Sequence, residues 1–331
     1  MIVAQQQYKD TVNRIAFSLL LFLALNLLQG TVLSFLPYFT ASLPLLTAEI
    51  LQELLGGILY AVSFCLPVLF FKLISTRTAP EPMFLELDLP HETPLYIFFG
   101  IALVSAAASL NAVMVNIFDY SEFSEEVLWD STVSSNYQLI LLFFTMAIVP
   151  AFVEEFLFRG MVLGNLLPYG RTTAILASAL LFGLMHQNAE QFFYATAAGL
   201  VIGWVYVSTR SIWPCVLLHL VNNFRSVWQT AITQRLPSAT ANVVLYVGEA
   251  LVLILGLVSG ILLFLRERDH RAAVLQSGAF EVDLPADAEY AARALSAKQR
   301  VRGFFTVPMI VFCVICVLTM LSLVGMALLF Y

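Results

Sequence analysis

Nine apolar runs, most of them about twenty residues long, leave this 331-residue chain few ways to fold. They are Ile15–Leu36, Leu54–Phe71, Leu95–Phe118, Leu139–Leu167, Thr172–Gln187, Phe192–Ser208, Trp213–Gln229, Val243–Leu265 and Phe304–Tyr331. A helix rises about 1.5 Å per residue, so ~20 apolar residues cross a hydrocarbon core of ~30 Å. In lipid such a run must bond its own backbone, and a helix does so. The expected fold is an all-α polytopic membrane protein with about nine transmembrane helices. Composition agrees, with 60% hydrophobic and 11% charged residues against about 45–50% and about 25% in soluble domains. The formal net charge of −6 excludes a basic nucleic-acid binder, and the apolar content excludes a disordered chain. Cys65, Cys215, Cys313 and Cys316 all lie in apolar runs. They read as small hydrophobes, the C-x-x-C spacing of the last two included.

Basic residues set the expected orientation. With the N-terminus inside, the cytoplasmic segments collect Lys9, Arg14, Lys72, Arg77, Arg171, Arg210, Arg266, Arg268, Arg271, Arg293, Lys298, Arg300 and Arg302, leaving Arg235 outside. This is the positive-inside pattern, and an odd number of spans puts the C-terminus outside. The first run is too long for a signal-peptide core and reads as an anchor. Residues 1–138 form N-terminal helices and acidic loops, 139–230 a four-helix core, and 231–331 the C-terminal helices with a cytoplasmic loop at 266–303. Thr76–Pro94 reads as a Pro-rich linker, Asp119–Gln138 as an outer loop with five acids and no base, and Ala286–Arg302 as a surface helix. The halves show no repeat, which disfavours a transporter.

Ionisable groups inside spans cost at least a few kcal/mol each and mark function by default. Here they gather between residues 154 and 223. Glu155 and Arg159 are four apart with the acid first, the favourable order for a helical pair; Glu154 faces about 100° away. Glu154 and His186 each lie sixteen positions from Gly170, at the centre of a Pro168–Arg171 turn. An antiparallel hairpin would therefore hold them level, ~24 Å from the turn. Counted from Arg210, Asn223 lies ~20 Å deep with His219 one turn shallower on the same face. Ala195, Gly199 and Gly203 form a small-residue stripe for close helix packing. Glu249 has no evident partner and reads as hydrated near the outer boundary.

A carboxylate and an imidazole at one depth can deprotonate a water, and donors from a second His and an Asn can meet a developing oxyanion. That is amide hydrolysis without a covalent intermediate. Cys215, four before His219, is the weak thiol alternative. An inert ion-pair cluster fixing helix packing is another. Zinc on Glu, His and His is a third, without an H-E-x-x-H helix to support it.

The stretches E-E-F-L-F-R-G (Glu154–Gly160), F-G-L-M-H (Phe182–His186) and H-L-V-N-N (His219–Asn223), with T-R-S-I-W-P-C-V-L-L-H before the third, resemble the EExxxR, FxxxH and HxxxN motifs of the CAAX-protease and bacteriocin-processing family. Its eukaryotic members are type II CAAX prenyl endopeptidases. The resemblance covers about residues 139–230. It implies a metal-independent intramembrane endopeptidase without cofactor, in which Glu154 and His186 activate water, His219 and Asn223 form the oxyanion site, and Glu155 and Arg159 are the supporting pair. The implied substrate is a membrane-associated peptide or protein; a prenylated tail is the eukaryotic case, and a chain of bacterial character favours an unprenylated membrane peptide. A second membrane protein is a compatible partner, and nucleic acid is not. Catalytically silent scaffolds and immunity factors share the fold.

Overall fold

The computed structural model describes residues 2–75, 89–118, 136–277 and 295–330. Most of the expected linker and acidic loop, and the first part of the expected surface helix, lie outside them. Ten helices are described: α1 (Ile2–Thr40), α2 (Leu45–Ile74), α3 (Thr93–Phe118), a composite α4 (Asn136–Tyr169), α5 (Arg171–Met185), α6 (Ala189–Thr209), α7 (Trp213–Arg235), α8 (Ser238–Ser277), α9 (Ala297–Phe304) and α10 (Val307–Phe330). No strand occurs among the described residues. The protein is an all-α, multi-pass membrane protein.

Each of the nine apolar runs is mainly helical over its described residues, yet among the described residues six helices are long and apolar enough to cross a bilayer, or seven if α9 and α10, bent by 70°, count as one span. The two runs that fall short carry the site histidines. α5 has 15 residues, roughly 22 Å at about 1.5 Å per residue. α7 carries His219, Asn222, Asn223, Arg225 and Gln229 along its length. Neighbouring helices bury the end of α5 and the first turns of α7 around His219, whereas the second half of α7, Gln229 included, is largely exposed.

α4 is not a uniform helix. Phe143–Ile148 and Phe156–Leu163 are π-helical, on either side of an α-helical Val149–Glu155. Val149 N–H bonds back five residues to Phe144 O, and Gly164 N–H likewise to Arg159 O. Pro150 has no N–H to offer the carbonyl four residues back. Such π segments cluster at functional sites because they redirect side chains within a helix.

The α4–α5 hairpin closes through a 3₁₀ turn, Leu167–Tyr169, and Gly170 at φ +147°. Only glycine is at ease there, and an added Cβ would meet Arg300 Nη1 at 2.8 Å. Arg300 of α9 donates to Tyr169 O (3.3 Å), Thr173 Oγ1 (2.8 Å) and Leu295 O. Tyr8 of α1 packs edge-on against Tyr169 at 5.0 Å. The start of α1, the hairpin turn and α9 therefore meet at one end of the molecule. The expected surface helix is observed as α9, opened by a capping box of Ser296 and Gln299.

α5 and α6 pack backbone to backbone. A Cβ on Gly199 would lie 2.9 Å from Ala179 Cα, so glycine sets how closely the two backbones approach.

Candidate active site

Arg159 is the anchor of the polar cluster. It is fully buried, as is Glu155. Its Nη1 donates to Glu155 Oε1 (3.0 Å), its Nη2 to Gly199 O (3.2 Å), and its guanidinium lies 4.9 Å from the centroid of the Phe182 ring. The bare backbone at Gly199 is what lets an arginine on α4 reach a carbonyl on α6. Two donors and a π face compensate a charge that would otherwise be prohibitive to bury.

Glu155 Oε1 also accepts from His219 Nδ1 of α7, at 2.7 Å. That bond leaves Nε2 as the nitrogen that can take or return a proton. Nε2 lies 3.9 Å from Glu154 Oε2, too far for a direct hydrogen bond and suited to a bridging oxygen. Glu154 is only 4% exposed, and its other oxygen, Oε1, accepts from the Tyr60 hydroxyl of α2.

His186 caps the C-terminus of α5, immediately before Gln187 at φ +53°. Its Nδ1 donates to Phe182 O at 2.8 Å, so the neutral ring presents Nε2 as an acceptor. Phe182 stands between the two imidazoles, 5.1 Å from the His186 ring and 6.0 Å from the His219 ring. Asn223 Nδ2 donates to Met146 O (3.1 Å), the α-type acceptor that Pro150 cannot serve. Tyr194 O–H donates to Asn222 Oδ1 (2.9 Å) and Asn222 Nδ2 to Asn223 Oδ1 (3.3 Å), which orients the Asn223 carboxamide.

His219, expected one turn shallower than Asn223 and as an oxyanion donor, is the imidazole that both glutamates face. No ion pair within 4.0 Å joins His186 to either glutamate among the described residues. Asn223 reaches two turns back along α4, to the carbonyl released by Pro150. Glu249 is not a solitary hydrated acid: it pairs with Arg225, whose Nη1 also contacts Ser105 Oγ at 2.5 Å. Cys215 is buried and turned to the carbonyls of Ile202 and Ser211, not to a base. Among the described residues, no three His, Cys, Asp or Glu side chains are grouped as metal ligands, so the Glu, His, His set is not gathered as one.

Tyr60 is the residue that sequence reasoning missed. It sits in an ordinary apolar run, and its one polar atom gives no periodic signal. An apolar groove of about 520 Å³ runs along the same α2–α4 seam, lined by Leu54, Gly57, Ala61, Leu141, Phe144 and Val149 among others.

A family model described as "Type II CAAX prenyl endopeptidase Rce1-like" matches residues 136–225. A protein of Bacillus subtilis (strain 168) named "Putative membrane peptidase YdiL" is 31% identical over 86 residues, 25% of this chain and 34% of its own length. The match thus spans about a third of that relative. No solved structure matches the chain significantly. The matched segment contains Glu154, Glu155, Arg159, His186, His219 and Asn223, and over that segment the chain is similar to type II CAAX prenyl endopeptidases.

Proposed function

We propose that this protein is an intramembrane endopeptidase that hydrolyses a peptide bond of a membrane-associated peptide or protein with a glutamate-activated water. The observation that carries the reading is Glu154: a nearly buried carboxylate with one oxygen held by Tyr60 and the other facing His219 Nε2 at 3.9 Å. A base in such a place has no structural partner that accounts for both of its oxygens.

In this reading Glu154 takes a proton from water as the oxygen attacks the scissile carbonyl, and His186, with Nε2 as acceptor, assists in orienting that water. His219, held through Nδ1 by Glu155, presents Nε2–H in its imidazolium form to the oxygen that becomes negative. The second N–H of Asn223 is the other donor toward that oxygen. The proton on Glu154 then passes to the leaving amine. Arg159 and Glu155 do not touch substrate; they keep His219 in register. In this reading the side chains of residues 139–230 polarise the water and the carbonyl without a metal ion, and the chain enters the membrane with its N-terminus cytoplasmic.

The test is cleavage of an apolar, membrane-anchored fluorogenic peptide by the protein in proteoliposomes. Glu154→Gln is expected to lower kcat about 10²–10⁴-fold, and wild-type activity is expected to survive a strong zinc chelator. Wild-type kcat in folded Glu154→Gln would leave the silent-scaffold reading in its place. Loss to the chelator, restored by zinc, would replace the metal-free mechanism.

A further inference from the structure

We propose that Tyr60 is a positioning residue of this site, its hydroxyl holding Glu154 Oε1 so that Oε2 alone is turned toward the reacting water. The inference rests on the glutamate-base reading above and assigns a role to α2, which lies outside the matched segment 136–225.

The placement of Tyr60 is built by contacts on both sides of it. Residues 49, 53, 57 and 60 lie on one face of α2 at helical spacing, and each meets α4. Glu49 Oε2 accepts from Gln138 Nε2 (3.1 Å), and Glu53 Oε2 from Thr145 Oγ1 (3.4 Å). At Gly57 the two helices come so close that a Cβ would lie 3.1 Å from Thr145 Cγ2. Less than one turn further on, the Tyr60 hydroxyl arrives at Glu154. Its ring is fixed from behind by Phe64 at 4.7 Å, which in turn packs on Phe22 of α1 at 4.8 Å. Phe22 and Phe64 are each 1% exposed. The direction of the phenol is therefore set by packing, and the hydrogen bond transmits that direction to the carboxylate.

A glutamate needs such a guide. Its terminal torsion is broad and roughly two-fold, so an untethered carboxylate samples orientations in which neither oxygen faces His219. Glu155 has Arg159 and His219 to fix it, whereas the Glu154 hydrogen bond comes from α2.

The experiment is a double-mutant cycle on the full chain in proteoliposomes, read with the anchored fluorogenic peptide. Tyr60→Phe keeps the ring and removes the hydroxyl; it is expected to lower kcat about ten-fold with KM within about two-fold. Glu154→Asp retracts the carboxylate out of reach of the hydroxyl, so adding Tyr60→Phe to it should cost little more. In the same vesicles without substrate, the infrared carboxyl band that disappears in Glu154→Gln should shift in Tyr60→Phe. Equal fold losses in both backgrounds, an unshifted band, or full activity of Tyr60→Phe would each overturn the proposal. Wild-type kcat in Glu154→Gln would overturn the underlying reading instead.

Discussion

Arg159 joins α4 to α6 through a fully buried charge. Its removal leaves the fully buried Glu155 with His219 as its remaining partner, and breaking a buried pair costs about 3–5 kcal/mol. Arg159→Met is therefore expected to lower the thermal midpoint of the detergent-solubilised protein by many degrees. Arg159→Lys is expected to recover little of this loss, because an ammonium cannot reach Glu155 and Gly199 O together while stacking on Phe182. Unfolding of the three proteins in parallel checks both statements. The same energetics explain which site residues are legible in a sequence. Charges at 154, 155 and 159 and imidazoles at 186 and 219 are conspicuous because lipid penalises them. Tyr60 is not conspicuous, since nearly all of its surface is apolar. The Arg225–Glu249 pair is equally hidden, because nothing in two separate apolar runs says that they cross at that height.

Among the elements, α4 departs furthest from a uniform helix. Counting at a fixed rise placed Glu154 level with His186, but such counting assumes a uniform helix, and two π segments and a proline change both the rise and the facing of residues between 143 and 163. The hairpin itself was legible, because Pro168 and Gly170 announce it. What sequence could not show was the substitution of Asn223 for a missing backbone donor. Pro150→Ala returns that donor and sets it in competition with Asn223 for Met146 O. Peptide cleavage is expected to fall while the unfolding midpoint holds or rises, since Pro in a helix interior is unfavourable by ~3 kcal/mol. A second comparison belongs at this scale. Gly199→Ala drives a methyl into the Ala179 backbone and pushes α6 away from Arg159, so both midpoint and cleavage should drop. Gly248→Ala on α8 meets nothing within 4 Å and should leave cleavage intact, with a stability gain of up to about 1 kcal/mol.

For the molecule as a whole, the count of spans in the sequence merges two kinds of helix. Most are long and apolar, α4 with its buried acids among them, whereas α5 and α7, which carry the site histidines, are short or polar. Hydropathy reads the first kind well and the second poorly. The assembly also fixes which chain segments share an end: Tyr8 of α1 touches Tyr169 and Gly303, far apart in sequence. Single cysteines at Gln7 and Lys298, both exposed, should accordingly react with a membrane-impermeant maleimide from the same side of sealed vesicles. Opposite-sided labelling would contradict this packing.

Arg300 makes the last helices more than ballast. By gripping the elbow that joins the base-bearing strut to the one ending in His186, it ties the far terminus to the reaction centre. A protein shortened upstream of Leu295 would keep every motif residue, yet its hinge would be loosened, and its catalytic groups would drift out of step.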